Sequence, residues 1–451
     1  MTPAREFRSW GRTVPADHAA VAPVYWRSDP PAIGSLPGSV LPYAYGRSYG
    51  DSCLNAGGTL LDTSPLNRFI AFDDERGLLQ CEAGVTLAEV LALVVPRGWF
   101  LPVVPGTKWV SVGGAIANDI HGKNHHVAGT FGAHVTRFEL LRSSGGRVLC
   151  SLTENADLFR ATIAGLGLTG LILWAEIQLK RVPGPAIAME RIRFRDVDGF
   201  FELCKSDRHF EYTVAWIDCL RRRGPLGRGV FIRGDHAGAA DAAERSAPAE
   251  AHDTAARGAP AAGQRLPFAP PRGTVNRLAG TACNALYYWA QRGTTVRKAA
   301  SYDAFFFPLD VVSDWNRLYG PDGFFQYQCV VPDDAEHHYT RTILEQVRRS
   351  RESCYLAVLK KFGSRRSPGL LSFPRPGVTL ALDFARRGAS TLRLLEQLDT
   401  LVAEAGGAVY PAKDARMSGA SFRRFFPQWE YFAEHVDPKF SSSFWRRVST
   451  S

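Results

Sequence analysis

The sequence predicts an α+β fold built from at least two domains. The chain has 451 residues, whereas a single domain usually takes about 100–200. Short β-type runs punctuated by glycine alternate with stretches of helical periodicity, and the later strand candidates are rich in aromatic and β-branched residues. Hydrophobic residues make up 45% of the chain and charged residues 22%, a balance that excludes a disordered or fibrous protein.

The first third of the chain predicts strands, two helices and a hairpin. Thr86 can cap a helix over 87–95, where apolar residues follow helical spacing. A second helix over 155–163 precedes a glycine-rich turn. The hairpin turns at Ser144 and the two glycines after it. The strand candidates of this part are 59–62, 77–81, 138–141, 147–151 and 171–182.

The rest of the chain adds a second group of strands. Two of them, 212–219 and 324–331, are predicted to share one sheet although an insertion separates them. That insertion, 236–273, consists mainly of Ala, Pro, Gly, Arg and Asp, a composition typical of a mobile segment. An amphipathic helix over 392–405 ends at two glycines. Further strand candidates are 356–360 and 378–384.

The net charge of +10 is spread along the chain. It favours phosphates, a nucleotide cofactor or an anionic membrane surface as partners, or else forms a solvated basic surface. No nucleic-acid motif accompanies it, so nucleic-acid binding is not predicted. A signal peptide and a transmembrane helix are not predicted either, because no apolar run reaches about 18 residues and the N-terminal residues lack an apolar core. The eight cysteines show no C-x-x-C spacing, which disfavours a zinc site and a disulfide framework.

A first candidate ligand loop is 45–51, where Gly46 and Gly50 flank polar residues. The backbone amides of such a loop can approach an anion closely, and Arg47 adds a positive charge. The alternative is an ordinary tight turn.

A second candidate combines Gly106 with the small residues of 111–117, which let the backbone lie against a flat ligand. The histidines that follow, His121, His125 and His126, are either metal ligands or structural residues on a glycine-rich loop. They form no H-E-x-x-H pattern, so we predict no metal site.

Two further segments have ambiguous patterns. The run 165–170 reads G-x-G-x-x-G, but a helix precedes it and a strand follows, the reverse of a Rossmann unit. We therefore predict a turn packed near a ligand. Lys413 lies between an apolar run and an aspartate, where it is a catalytic amine, a phosphate contact or a surface lysine.

Taken together, the motifs resemble those of the flavin oxidoreductases of the vanillyl-alcohol oxidase / p-cresol methylhydroxylase (PCMH) type. Within that superfamily, the chain is most similar to the decaprenylphosphoryl-β-D-ribose 2-oxidases. The resemblance covers the chain apart from the Ala/Pro-rich insertion. The segments that carry it are 9–13, 46–51, 105–107, 112–117, 119–126, 326–328, 372–374 and 410–414.

This resemblance implies a two-domain fold in which a PCMH-type FAD-binding domain is joined to a substrate domain with an antiparallel sheet. The FAD-binding domain would span 1–185. The substrate domain would span 186–400 and include the insertion 236–273, and the segment 401–451 would return to the FAD-binding domain.

The resemblance also implies non-covalent FAD and a set of site residues. The catalytic candidates are Lys413, His121 and Tyr49, and the substrate-binding candidates are Trp216, Gln328, Lys360 and Lys413. The implied cofactor-binding residues are Tyr45, Gly46, Arg47, Ser48, Tyr49, Gly50, Asp51, Ser52, Gly106, Ser111, Val112, Gly113, Gly114, Asn118, His121, Ile172 and Tyr410.

Two questions about individual residues follow from the resemblance. Lys413 would either deprotonate the substrate hydroxyl, with Lys360 as a cationic neighbour that lowers its pKa, or donate a hydrogen bond while His121 or Tyr49 relays the proton. Mycobacterial members of the family carry a cysteine that covalent nitro-aromatic inhibitors attack, and the matching position here is Ala381. Sensitivity to those inhibitors is therefore not expected.

The implied activity is oxidation of the 2-hydroxyl of a polyprenyl-phosphoryl-β-D-ribose to the 2-keto sugar, the first half of an epimerisation to the arabinose form. Its products would feed cell-wall arabinan synthesis. The implied partners are a short-chain reductase that completes the epimerisation, a quinone or oxygen as electron acceptor, and a membrane surface. A membrane-peripheral location is expected, on either the cytoplasmic or the periplasmic face. The alternatives are an FAD-dependent aldonolactone or soluble-sugar oxidase and a cofactor-free binding protein of the same fold.

Overall fold

The computed structural model describes residues 6–207, 209–238, 264–265 and 276–450. Its strands are β1 (Ala20–Pro23), β2 (Val40–Tyr43), β3 (Thr59–Asp62), β4 (Phe69–Asp73), β5 (Leu78–Glu82), β6 (Trp99–Phe100), β7 (Val135–Leu141), β8 (Arg147–Ser151), β9 (Leu171–Gln178), β10 (Lys180–Arg181), β11 (Ala186–Phe194), β12 (Tyr212–Asp218), β13 (Arg228–Ala237), β14 (Gln264–Arg265), β15 (Thr295–Ser301), β16 (Val312–Ser313), β17 (Phe324–Pro332), β18 (Cys354–Phe362), β19 (Gly377–Ala385) and β20 (Ala408–Val409).

The α-helices are short in the first part of the chain and longer in the second. They are α1 (Leu87–Val94), α2 (Val112–Ala117), α3 (His125–Ala128), α4 (Ala156–Thr162), α5 (Val197–Ser206), α6 (Arg277–Ala290), α7 (Tyr302–Phe306), α8 (Glu336–Arg349), α9 (Ala389–Glu404), α10 (Gly419–Phe425), α11 (Trp429–Ala433) and α12 (Ser443–Ser449). Short 3-10 helices lie at Ile33–Ser35, Asp51–Cys53, Val95–Arg97, Phe131–His134 and Trp315–Tyr319.

Within the described residues, the strands form three main sheets. A parallel sheet has the order β1-β3-β2, and an antiparallel sheet has the order β4-β5-β9-β7-β8. A larger antiparallel sheet has the order β15-β11-β13-β12-β18-β19-β17-β20. Strands β12 and β17 both belong to the large sheet, which confirms the predicted sharing. The mixture of helices with antiparallel sheets confirms the α+β class.

Local sequence explains the first helix well. The Thr86 side chain accepts a hydrogen bond from the Glu89 amide, and the Glu89 carboxylate accepts one from the Thr86 amide, so the two residues form a capping box. The helix buries Leu87, Val90 and Leu91 on one face. Both the helix and its cap are confirmed.

Two predicted elements differ at their ends. The long strand predicted over 171–182 ends at Gln178, and β10 then pairs with β6 instead of continuing in the five-stranded sheet. The helix predicted over 392–405 begins earlier, at Ala389, and is followed by Gly406 with φ of +69°. The run 165–170 lies between α4 and β9, so its reversed context is confirmed.

The predicted insertion lies mostly outside the described residues. Strand β13 extends into its first two positions, His236 and Ala237, and Gln264–Arg265 pairs with β16. The rest of the mobile segment predicted over 236–273 stays a prediction.

Alternation separates the two faces of the large sheet. Leu380 and Leu382 of β19 join a hydrophobic core with residues of α8 and α9, which pack on β17 and its neighbours. The intervening residues, Thr379 and Ala381, therefore face the opposite side. This opposite face of the large sheet is not covered by α8 and α9, so it is available for a functional site.

The end of the chain packs back on its beginning. The Val40 amide donates to the Lys439 carbonyl at 2.8 Å, and the Ser441 amide donates to the Val40 carbonyl at 3.0 Å. The division into domains at residues 185 and 400 stays a prediction. None of the helices in the described ranges is both long and apolar enough to cross a bilayer.

Candidate active site

A cavity of about 840 Å³ lies on the face of the large sheet that α8 and α9 leave uncovered. Its other walls come from the loop 44–53, the segment 104–123, the turn 166–172 and the loop 410–413. Segments from both ends of the chain thus meet the sheet at one place. The size suits an extended organic ligand.

Four neighbouring strands contribute one row of the cavity floor. In the sheet register, Gln328 of β17 lies opposite Ala381 of β19, and Ala381 lies opposite Val358 of β18. Val358 in turn lies opposite Trp216 of β12. All four residues line the cavity, so strand pairing brings together positions far apart in sequence.

Close packing explains the glycine loop that forms one wall. Gly46 has φ of +61°, and a Cβ there would lie 2.2 Å from the Tyr43 hydroxyl oxygen. The Arg47 guanidinium lies over the Trp10 ring, 4.3 Å from its centroid, and its Nε donates to the Trp109 carbonyl at 3.3 Å. The loop is therefore held by its own contacts and presents its backbone to the cavity.

Small residues shape the adjoining wall. Ser111 caps α2, its hydroxyl accepting a hydrogen bond from the Gly114 amide at 3.1 Å. Gly113 lies so close to Ala83 that an added Cβ would be 3.0 Å from the alanine Cβ. A Cβ on Gly106, in contrast, would meet no atom within 4 Å. This wall is packed on its outer side and open on its inner side.

One buried hydroxyl at the cavity has no hydrogen-bond partner within the described part of the protein. Ser52 lines the cavity and is buried, yet its Oγ has no hydrogen-bond partner among the described residues. Buried polar groups are normally satisfied. Ser52 therefore offers a donor to a bound polar group.

Lys413 enters the cavity from the C-terminal side. Its Nζ lies 3.6 Å from the centroid of the Tyr49 ring, whose π-face stabilises an ammonium. Burial lowers the pKa of Lys413 to about 7, against a smaller opposing effect of the Asp383 carboxylate. The amine can therefore gain or lose a proton near neutral pH.

A second amine lies beside an imidazole. Lys360 Nζ is 3.0 Å from His121 Nδ1, and Gln328 Nε2 is 3.0 Å from His121 Nε2. Burial and the charges of Lys123 and Lys413 lower the pKa of Lys360 to about 7. Burial and the nearby cations hold the pKa of His121 well below its usual range, so this imidazole is neutral at pH 7.

Comparison with known proteins connects this cavity to a cofactor. Residues 37–151 match the model of an FAD binding domain. The whole chain is 36% identical over 468 residues to decaprenylphosphoryl-beta-D-ribose oxidase of Mycolicibacterium smegmatis, covering 99% of this chain and 98% of that relative. The chain belongs to this oxidase family. It is an FAD-dependent oxidoreductase with a PCMH-type FAD-binding domain.

Two other relatives of this oxidase family member differ in how much of the chain they match. An uncharacterized protein in the mprA 5' region of Streptomyces coelicolor is 35% identical, covering 81% of this chain and 100% of that relative. L-Gulonolactone oxidase of the mouse is more distant, with 29% identity over 27% of each chain.

The residues present fit FAD. The open inner side at Gly106 admits a flat ring system, and the Ser52 hydroxyl supplies an unused donor. Tyr410 stacks on Phe373 with a centroid distance of 4.7 Å and donates to the Asn118 carbonyl at 2.7 Å, which fixes another cavity residue.

Most residues predicted for this oxidase site lie around the one cavity, although their individual roles stay predictions. Those that line it are Tyr45, Gly46, Arg47, Ser48, Tyr49, Ser52, Gly106, Ser111, Gly113, Gly114, Asn118, His121, Ile172, Trp216, Gln328, Lys360, Tyr410 and Lys413.

Three predicted cofactor residues are not among those that line the cavity, and their cofactor contacts stay predictions. Gly50 packs on the Asp414 backbone, so that a Cβ would lie 1.5 Å from the Asp414 carbonyl oxygen. Asp51 is ion-paired with Arg447 at 2.7 Å. Val112 is fully buried in the hydrophobic core, and its amide donates to the Val85 carbonyl. These residues hold the walls in place.

The structure adds residues that the sequence interpretation did not assign to the site. Burial lowers the pKa of Lys123, which lines the cavity, to about 8. Burial raises the pKa of Asp383 to about 7, although Gln326 donates to it at 2.6 Å. A signal was present, since Thr379, Ala381 and Asp383 alternate with large apolar residues on one buried strand.

Proposed function

We propose that the chain oxidises the 2-hydroxyl of a polyprenyl-phosphoryl-β-D-ribose to the 2-keto sugar, the first half of an epimerisation to the arabinose form. The observation that carries this proposal is the similarity over 99% of the chain to a decaprenylphosphoryl-beta-D-ribose oxidase. A short-chain reductase would complete the epimerisation, and a quinone or oxygen would reoxidise the flavin. The keto product would serve cell-wall arabinan synthesis.

The chain's own residues would orient and deprotonate the alcohol. Bound FAD supplies the hydride acceptor, the part of the chemistry that side chains cannot perform. Lys413 would hold the reacting hydroxyl, because its Nζ projects into the cavity over Tyr49. Trp216 would form the apolar floor beside the sugar. Exclusion of water by this floor strengthens the hydrogen bonds made by the amine.

Non-covalent binding of FAD is supported by the chemistry of the cavity wall. Both ring nitrogens of His121 already have partners within the protein. Burial raises the pKa of Cys53, which also lines the cavity, to about 12, so its thiol is not a nucleophile at neutral pH.

The proposed function is tested with a synthetic prenyl-phosphoryl-β-D-ribose. Under anaerobic conditions the substrate is expected to bleach the flavin absorbance and give a product two mass units lighter by mass spectrometry. Acid precipitation of the same protein should release FAD into the supernatant. Bleaching by an aldonolactone but not by the lipid sugar would contradict the proposal and favour the soluble-sugar alternative. A purified protein that contains no flavin would contradict it as well and favour the binding-protein alternative.

An anionic membrane surface is the proposed location of the substrate. Helix α6 exposes Leu278 and Leu286 at 85% and 74% of their surfaces, and Trp289 at 63%. Arg193 lies 5.4 Å from the Trp289 ring centroid, which adds charge beside this apolar face. Tyr287 of the same helix lines the cavity, so a lipid bound at this surface would be close to the site.

Vesicle flotation tests this surface. The double variant Leu278→Ser and Leu286→Ser is expected to float less with vesicles that contain anionic lipid, by about tenfold, because burial of two leucine side chains is lost. Leu152→Ser is the matched control, since Leu152 is also exposed, at 56%, but lies outside α6. Equal flotation of the double variant and the native chain would rule out α6 as the contact.

A further inference from the structure

Four side chains, three of which line the cavity, form one chain of hydrogen bonds. The Thr379 hydroxyl donates to the Cys329 carbonyl at 2.8 Å, and Gln328 Nε2 donates to Thr379 Oγ1 at 3.2 Å. The same amide nitrogen is 3.0 Å from His121 Nε2. The other ring nitrogen of His121, Nδ1, is 3.0 Å from Lys360 Nζ. The chain therefore runs from a backbone carbonyl to a cavity amine.

The direction of each hydrogen bond follows from the number of protons available. The one hydroxyl proton of Thr379 goes to the carbonyl, so its oxygen accepts from the amide. An amide nitrogen has two protons and no free lone pair, so its second proton must go to His121 Nε2. A neutral imidazole has only one unprotonated nitrogen, and hence its Nδ1 carries the proton.

The last bond in the chain then determines the state of Lys360. A protonated Nδ1 is a donor, and an ammonium has no lone pair to accept from it. We propose that Thr379 and Gln328 fix the tautomer of His121 and thereby hold Lys360 as a neutral amine. One proton of that amine donates to the Gly122 carbonyl at 3.3 Å.

The surroundings of Lys360 agree with a neutral amine. The titratable groups that face it are His121, Lys123, His125 and Lys413, none of which is an anion. The buried carboxyl of Asp383 affects the pKa of Lys413 instead. A neutral Lys360 would not act as a cationic neighbour of Lys413, so this inference favours the other option from the sequence, in which burial alone lowers the pKa of Lys413.

A neutral amine can accept a proton, which an ammonium cannot. In this step, which rests on the proposed function, the substrate O–H bond would break and an N–H bond would form on Lys360. The electron pair of the carbinol C–H bond would leave as hydride, for which bound FAD would be the acceptor. The new N–H bond would use the one lone pair of Lys360, so the hydrogen bond that this lone pair accepts from His121 Nδ1 would break in the same step. Thr379 and Gln328 would then be positioning residues that act through His121.

Competitive labelling tests the charge of Lys360 without any substrate. Acetic anhydride reacts with neutral amines, so the extent of acetylation as a function of pH, read by mass spectrometry on the flavin-loaded protein, gives the titration midpoint of each lysine. Lys360 is expected to titrate near pH 7. Lys361, the adjacent residue, is the internal control, because its ion pairs with Asp333 and Glu336 raise its pKa above the ordinary value. A midpoint for Lys360 near that of an ordinary lysine, about 10.4, would overturn the proposal.

Two variants separate the role of Thr379 from simple packing. Thr379→Val keeps the shape but frees the amide of Gln328, so the midpoint of Lys360 should rise by about one pH unit, and the acid limb of the pH profile of flavin reduction should rise with it. Thr379→Ser keeps the hydroxyl and should restore the native midpoint. An unmoved midpoint in Thr379→Val, with unchanged flavin content and unfolding temperature, would contradict the inference. Because the labelling needs no turnover, failure of the proposed substrate leaves this result interpretable.

Discussion

Replacement of Lys413 by alanine is expected to leave the flavin bound and to slow its reduction by substrate by about 10²–10⁴-fold. The amine lies in the cavity over Tyr49, and burial brings its pKa to about 7, so both its proton and its charge are available to a reacting hydroxyl. Lys360, a second amine of the cavity, is hydrogen-bonded to His121 instead of lying over Tyr49. Anaerobic stopped-flow bleaching of the flavin absorbance measures the effect.

Two further variants make this result specific. Lys413→Arg keeps a cation that cannot lose its proton near neutral pH, so it distinguishes a charge requirement from a proton-transfer requirement. Lys205→Ala removes an exposed lysine on α5, with 72% of its side chain accessible, and should bleach at the native rate. Normal bleaching by Lys413→Ala would remove Lys413 from the mechanism.

Local patterns in the sequence were sufficient for much of the fold. The helix cap at Thr86, the hairpin at Ser144 and the strand candidates 324–331 and 378–384 depend on neighbouring residues, so each could be predicted from its own segment of sequence. The family resemblance added the cofactor and directed attention to Lys413, which its local context alone leaves ambiguous.

The order of the large sheet depends on long-range pairing, which no local pattern contains. Without that order, Lys360 and Thr379 cannot be recognised as direct neighbours across β18 and β19. For the same reason, the close packing of Gly50 on the Asp414 backbone cannot be predicted from the sequence. Sequence motifs identify residues near a site, but the pairing of strands in the sheet determines which of their side chains face it.

Arg447 joins three segments around the site, and its loss is expected to destabilise the fold by about 3–5 kcal/mol. Its guanidinium donates to both oxygens of Asp51, at 3.0 and 2.7 Å, and to the Asp414 carboxylate at 3.0 Å. Both carboxylates are buried, with 6% and 2% of their side chains accessible. Burial already raises the pKa of Asp51 with the arginine present, so Arg447→Ala leaves this carboxyl without its main compensation.

The same contact ties the glycine loop to the loop that carries Lys413, so Arg447→Ala should also lose flavin during gel filtration. Urea unfolding followed by tryptophan fluorescence measures the stability, and the ratio of flavin to protein absorbance measures retention. Arg341→Ala is the matched control, because Arg341 also contacts both oxygens of an aspartate, Asp198, but both partners are about half exposed. Exposed pairs contribute about 0–1 kcal/mol, so this variant should unfold almost as the native chain does. Equal losses of stability in the two variants would show that burial of the carboxylates does not explain the effect of Arg447→Ala. The idea that Arg447 maintains the cavity by joining the two loops would then be wrong.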